Sequence, residues 1–331
     1  MFDWLKRKQQ RKHAAAAGAD PNAAIKAMLD AADASREAAA TQRAFEQYDQ
    51  ALVLDAGNVY ARFWKAQMFR EAHDLVAAAR ECELGLAVEP NEIGLLLLRG
   101  EIAADALDPL LALEYFERIA QLEADVPEVD GFLADQYCFL GCVDEGVAAF
   151  DRALAHQPDL VRLQSNRLFV LNYSGQVGPE GLFEEHRAWG AKHEAAIAVD
   201  TRPHPGSRDP DRKLRVGYVS PDLRQHPVAF FVEALLRNHD RSAFDIVCFD
   251  TSPYPEDAFT ARLKQEHQTW RRVGDLGDQA LAEAIRSSTI DVLVDLSGHT
   301  SGHRLLAFAR KPAPVQATWL GYLNTTGLTR M

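Results

Sequence analysis

An acid and an imidazole stand four residues apart in Ser220-Pro221-Asp222-Leu223-Arg224-Gln225-His226-Pro227. A carboxylate can take a proton from a hydroxyl, and an imidazole can take, give or relay one, so the pair suits group transfer. Pro227 fits the first turn of a helix, where its missing N–H costs nothing. Free N–H groups of that helix would face the loop, and an anion held there would gain about 0.3–1 kcal/mol from the helix end. The same two residues could equally be a helix cap and a surface group. Two more stretches are polar and glycine-bearing: Asp295-Leu296-Ser297-Gly298-His299-Thr300-Ser301-Gly302-His303 and Trp319-Leu320-Gly321-Tyr322-Leu323-Asn324-Thr325-Thr326-Gly327. Glycine there allows tight turns or close approach to a ligand.

The elements that must position these stretches alternate in type. Short apolar runs occupy 214–220, 244–249, 292–296 and 315–320, and helix-like segments lie between them at 227–238, 258–267, 278–287 and 303–310. That alternation predicts a Rossmann-like parallel α/β lobe of at least four strands with right-handed crossovers. Ligands of such sheets bind at the carboxyl ends of the strands. Each polar stretch follows a strand, so all three should converge on one rim, to which Ser297, Gly298, His299 and Thr300 are candidates. No dinucleotide fingerprint, phosphate-binding P-loop or serine elbow follows any strand, which argues against hydride transfer, simple nucleotide hydrolysis and serine hydrolysis.

Before residue 213 the pattern differs. Positions superpose at a spacing of 34: Ala44, Ala78, Ala112 and Gly146; Tyr48, Cys82, Phe116 and Phe150; Ala51, Gly85, Ile119 and Ala153; Ala56, Pro90, Ala124 and Pro158. Ala66, Gly100 and Ala134 form a fifth series, which ends at Leu168. Small residues recur where paired helices touch, a larger residue plugs the gap four positions on, and proline stops the second helix. Spacing and pattern match the tetratricopeptide repeat, an array whose concave groove holds peptides or proteins. The expected organisation is a basic and Ala-rich tail over 1–22, repeats over 23–175, a helical connection and linker over 176–212, and the α/β lobe over 213–331.

The 331 residues carry a formal net charge of −12, which argues against nucleic acid as a partner. Lys6, Arg7, Lys8, Arg11 and Lys12 beside Phe2, Trp4 and Leu5 could form a membrane-surface or partner-binding helix, or a solvated terminus. No apolar run reaches the roughly 20 residues of a membrane span, and no apolar segment after the basic start reads as a secretory signal. The expected location is the cytoplasm. Cys82, Cys138, Cys142 and Cys248 fit reduced, buried positions there, and two thiols four apart make a poor metal site.

Taken together, Val216-Gly217-Tyr218-Val219-Ser220-Pro221-Asp222, His226-Pro227, Asp295-Leu296-Ser297-Gly298-His299-Thr300, Pro312-Ala313-Pro314-Val315-Gln316 and Trp319-Leu320-Gly321-Tyr322 resemble the first catalytic lobe of the O-linked N-acetylglucosamine transferase family, with repeats standing in front as in that family. The resemblance covers about residues 40–328. It implies transfer of GlcNAc from UDP-GlcNAc to Ser or Thr hydroxyls of proteins, with inversion, no cofactor and no essential metal. It assigns His226 to the sugar and phosphate, Asp222 to acid–base work, and Pro227, Leu320, Gly321 and Tyr322 to the sugar pocket. Animal members line the repeat groove with asparagines, and the matching positions here read Trp64, Leu98, Phe132 and Asn166, so only Asn166 is expected to grip peptide. Val228 and Leu323 stand where the family has Thr and Pro. The resemblance also implies a second lobe that holds UDP. The expectation is therefore a chain that carries repeats and the first lobe only and is inactive alone. Apolar residues around Trp319 to Leu323 would then be uncovered and could drive self-association. The competing expectation is a repeat scaffold that binds proteins without catalysis.

Overall fold

The structure, a computed structural model, describes residues 22–331 apart from 123–125, 127, 199–201, 208, 267 and 268. Ala124 of the fourth series and the basic start of the chain lie outside the described residues. Two compact units divide between Gln157 and Pro158.

The first unit contains α1 (Asn22–Glu37), α2 (Thr41–Leu54), α3 (Val59–Glu71), α4 (Leu75–Val88), α5 (Ile93–Asp105), α6 (Pro109–Gln121), α7 (Glu128–Phe139) and α8 (Val143–His156). The 34-residue series are its contacts. Ala44, Ala78 and Ala112 are fully buried and Gly146 is buried on α8. A Cβ on Gly85 would lie 2.4 Å from Leu95, one on Gly100 2.4 Å from Phe116, and one on Gly146 2.5 Å from Cys138, so any larger residue at these sites pushes helices apart. Asp74 and Asp108, also 34 apart, accept hydrogen bonds from the backbone N–H groups of Ala77 and Leu111 and so cap α4 and α6. Trp64 and Leu98 are buried and Phe132 stacks on Phe116, so these three positions pack the array.

The second unit holds α9 (Val161–Leu171), α10 (Pro179–Ala195), β1 (Leu214–Ser220), α11 (Pro227–Asn238), β2 (Phe244–Asp250), α12 (Ala258–Glu266), β3 (Trp270–Arg272), α13 (Asp278–Ser287), β4 (Val292–Asp295), α14 (Leu305–Phe308) and β5 (Val315–Thr318). The five strands are parallel, in the order β3-β2-β1-β4-β5. The strand β3 is absent from the sequence reading because Trp270-Arg271-Arg272 offers no apolar run. The last five residues of β1 and of β2 are buried without a break, as expected of central strands with both faces covered.

The division at Pro158 falls earlier than the repeat end read at 175, and α10 occupies the stretch read as connection and linker. The packing explains why α10 belongs with the sheet. A Cβ on Gly190 would lie 2.0 Å from the Gly327 carbonyl oxygen, and the Glu194 carboxylate accepts from the Thr329 hydroxyl and the Arg330 N–H. Asn166 sits half-buried on α9, in this same unit.

Candidate functional site

The strand order reverses at β1. Beyond β1 the chain steps outward to β2 and β3, then crosses to β4 on the opposite side. The crevice at such a reversal, outside the carboxyl ends of β1 and β4, is where open α/β sheets bind ligands. The loop carrying Asp222 and His226 leaves β1 at this place.

Several bonds fix that loop. The Ser220 hydroxyl oxygen accepts from the Asp222 N–H at 3.0 Å, and the Ser220 carbonyl accepts from the Thr251 N–H beyond β2. Asp257 accepts from the Gln225 N–H at 2.8 Å and from the Thr260 N–H at 2.7 Å, which ties the loop to the start of α12. Asp222 is mostly buried, and its carboxylate lies 3.9 Å from His226 Nδ1 and 3.8 Å from the Arg224 guanidinium. Burial holds its carboxyl above the usual carboxylate range, while His226, when protonated, and the Arg224 guanidinium pull the other way.

His226 is the N-cap of α11. Its Nδ1 accepts from the Val228 N–H at 3.3 Å. A neutral ring bonded this way carries its proton on Nε2, so it presents a donor outward. The two alternatives open in the sequence, cap and cleft residue, are thus realised by one side chain. One expectation needs correction. The helix N–H groups do not stand free at the loop, because Val228 N–H bonds the His226 ring and Ala229 and Phe230 N–H bond the His226 carbonyl. The capping residue has consumed the donors that an anion would need.

The loops after β4 and β5 interlock. Asp295, almost completely buried, accepts from the N–H groups of Ser297 at 3.2 Å and Gly298 at 2.7 Å and from the Thr318 hydroxyl at 2.8 Å. Gly298 has φ +56°, and a Cβ there would lie 2.2 Å from that of Tyr322. A Cβ on Gly321 would lie 1.7 Å from the Leu296 carbonyl oxygen. Leu320, at φ 72°, packs against the core cluster that contains Leu223 and Leu296, as does Val228 beside Pro227. A Cβ on Gly302 would lie 3.2 Å from Pro221, so the loops after β1 and β4 are neighbours. The three stretches do converge.

The rim assignment is the second correction. Ser297, Gly298 and His299 are buried and Thr300 is half-buried, its hydroxyl donating to the Ser297 carbonyl at 2.9 Å. The left-handed turn at Gly298 sends His299 inward. His299 Nε2 donates to the Thr326 carbonyl at 3.0 Å, so its Nδ1 accepts from the Ser165 hydroxyl at 3.1 Å. Ser165 in turn accepts from His303 Nε2 at 2.8 Å, because His303 Nδ1 already accepts from the Leu305 N–H. Beside this chain, His186 Nδ1 donates to the Leu182 carbonyl and its Nε2 accepts from the Tyr322 hydroxyl, both at 2.7 Å. Asn172 donates to that same hydroxyl at 2.8 Å. The Tyr322 hydroxyl is therefore spent on α9 and α10, and its ring packs against Phe169, His186 and His299. With both nitrogens engaged, these imidazoles have no lone pair to offer a metal. Burial depresses all of them: His299 to about 3, His303 to about 4, and His186 below its ordinary value.

Sequence reading missed His186, Ser165 and Asn172, whose roles exist only through partners far along the chain. Of the expected apolar patch, Trp319 and Leu323 are exposed at 44% and 63%, whereas Leu320 and Tyr322 are half-buried. No helix among the described residues is long and apolar enough to cross a membrane.

Comparison with known proteins agrees with this geometry. Residues 196–331 match the model of glycosyl transferase family 41. The probable UDP-N-acetylglucosamine–peptide N-acetylglucosaminyltransferase SPINDLY of Arabidopsis thaliana is 36% identical over 181 residues, 52% of this chain and 19% of that protein. The UDP-N-acetylglucosamine–peptide N-acetylglucosaminyltransferase of Caenorhabditis elegans is 34% identical over 121 residues, 36% of this chain and 10% of that protein. A mutant of the Thermobaculum terrenum O-GlcNAc transferase superposes with a TM-score of 0.71 at 35% identity, covering 84% of this chain and 53% of that one. The chain thus spans a fifth or less of these two curated relatives and about half of the solved structure. Repeats at the front of the sequence, a parallel sheet after them and the motifs at its carboxyl edge agree with these matches: residues 196–331 match glycosyl transferase family 41, and the chain is similar to O-GlcNAc transferases.

Proposed function

We propose that the protein transfers GlcNAc from UDP-GlcNAc to Ser or Thr hydroxyls of proteins, with acceptors held by the repeats and the sugar beside Pro227, Leu320 and Gly321. The observation that carries this reading is the Asp222–His226 pair at the strand-order reversal, with its carboxylate and imidazole 3.9 Å apart. The acceptor oxygen attacks the anomeric carbon as the bond from that carbon to the diphosphate breaks, and UDP leaves with the electron pair. The proton of the acceptor hydroxyl must go to a base. Asp222 serves that need: burial makes its carboxylate more basic than a solvated one. His226, with its proton on Nε2, donates a hydrogen bond toward the sugar or the leaving phosphate, where negative charge grows. None of these steps calls on a metal or a cofactor. We place the protein in the cytoplasm, which suits four unpaired cysteines.

The test is transfer from UDP-GlcNAc to peptide by the full-length protein. His226→Ala is expected to lower turnover by about 100-fold or more, equivalent to about 2.7 kcal/mol. A cap alone would give about 0.5–2 kcal/mol of lost stability with turnover preserved. Peptide binding without any transfer by the unaltered protein would favour the scaffold reading instead.

A further inference from the structure

We infer that the amino edge of the sheet carries a second binding site, for a small phosphate-bearing anion, on the side away from Asp222 and His226. A cavity of 530 Å³ opens there, lined by Lys213, Arg215, Arg241 and Arg271, with Asp245 the single lining carboxylate. Its size falls within the usual range for small-molecule sites, about 300–1,000 Å³. The charge is the unexpected part. Acids outnumber bases 48 to 36 along the chain, yet four bases face one acid in this lining.

Lys213 and Arg215 are anchored mainly by neutral groups. The Lys213 ammonium donates to the Arg241 carbonyl at 2.6 Å. The Arg215 guanidinium donates to the Ser288 carbonyl and the Thr289 hydroxyl at 3.0 Å each, and lies 3.6 Å from Asp245. The Arg241 guanidinium donates to the Leu236 carbonyl at 2.9 Å. Carbonyls fix where these cations sit but leave their charge in place. Asp240, which feels Lys213, accepts both the N–H and the hydroxyl of Ser242. A concave, cation-lined wall concentrates positive potential, and guanidinium groups match phosphate oxygens in charge and geometry. The strand β3 begins only opposite Cys248, which leaves the first half of β2 as the cavity floor.

Inorganic diphosphate is the probe, titrated calorimetrically into the full-length protein. With the donor site saturated by UDP, the expected result is one site with a Kd below about 1 mM, weakened about tenfold or more by Arg215→Gln with Arg271→Gln. Arg271 is exposed, so Arg271→Gln alone, with an unchanged circular dichroism spectrum, tests the claim if the double variant folds poorly. Asp245→Asn removes the single lining acid and should tighten binding. Arg224→Gln, at the opposite edge, should leave it unchanged. Absence of binding at millimolar diphosphate would overturn the site, as would loss through Arg224→Gln, which would move the anion to the carboxyl edge. An oligonucleotide that binds more tightly and loses affinity in the Arg271 variant would reassign the cavity to nucleic acid.

Discussion

The two units solve opposite packing problems. In the repeats, shape does the specifying: alanine or glycine touches a neighbouring helix at each 34-residue step, and the buried polar residues are few, among them Ser35, Lys65, Glu92 and Arg99. In the lobe, buried polar groups do it: Ser165, His186, His299 and Thr326 are shielded from water and bonded across long sequence distances, and buried Asp295 joins its own loop to Thr318 on β5. A shape-specified unit degrades gradually as volumes change. A unit specified by buried hydrogen bonds loses the desolvation cost of each group left unpaired, about 1–3 kcal/mol per group. The lobe holds loops in the fixed positions a cleft requires and is the less forgiving half.

Glycine substitutions give the sharpest contrast and the largest effect. At Gly321 an added Cβ meets backbone, the Leu296 carbonyl oxygen at 1.7 Å. At Gly100 it meets a side chain, the Phe116 ring at 2.4 Å, which has some room to turn. Gly321→Ala should cost about 3 kcal/mol or more, and Gly100→Ala roughly 1–2 kcal/mol. Denaturant melts of the two variants measure this. Equal costs would mean that the loops after β4 and β5 are not interlocked as described.

Acid should separate the units next. His299 and His303 are held neutral by burial, at about 3 and about 4, whereas an unfolded chain protonates histidine near 6.5. Their folded values lie below the unfolded one, so the unfolded lobe binds more protons throughout that window. The stability they contribute is complete above about pH 6.5 and falls as pH drops toward 4. The lobe's melting temperature should therefore decline between pH 6.5 and 4, and His303→Gln should flatten the decline. A pH-independent lobe would show that these imidazoles ionise freely.

What the sequence revealed follows the same division. Repeats were legible because period and residue size act locally, and four of five strands because each falls in a short apolar run, three of them central and β5 at an edge. His299 was not legible. Asp295-Leu296-Ser297-Gly298-His299-Thr300 reads as an exposed polar loop, and only the positive φ at Gly298 and a hydroxyl 134 residues upstream put the imidazole inside. Asp222 and His226 were found by type and spacing, but the use of Val228 N–H by His226 was hidden, since a cap and a cleft residue look the same in sequence.

The repeats also contain one series that residue types conceal, and it yields the smallest expected effect. Ala39, His73, Leu107 and Gly141 stand 34 apart, and all have positive φ, between 56° and 77°. At each, the next residue's N–H reaches back to close the preceding helix: Ala40 to Ser35, Asp74 to Phe69, Asp108 to Ala103 and Cys142 to Tyr137, at 2.8–2.9 Å. This is the helix-ending turn that glycine favours, yet only Gly141 is glycine. A Cβ in the left-handed region costs roughly 1–2 kcal/mol, while glycine gives back part of that through greater freedom in the unfolded chain. Leu107 is 73% exposed, so little packing is lost when its side chain goes. Leu107→Gly should therefore stabilise the repeats by about 0.5 kcal/mol, and Gly141→Leu should destabilise them by about 1 kcal/mol. Both changes should leave the lobe's acid transition where it was. A destabilising Leu107→Gly would mean that the exposed leucine makes contacts worth more than its backbone strain, and that the fourfold repetition of this turn does not rest on backbone preference.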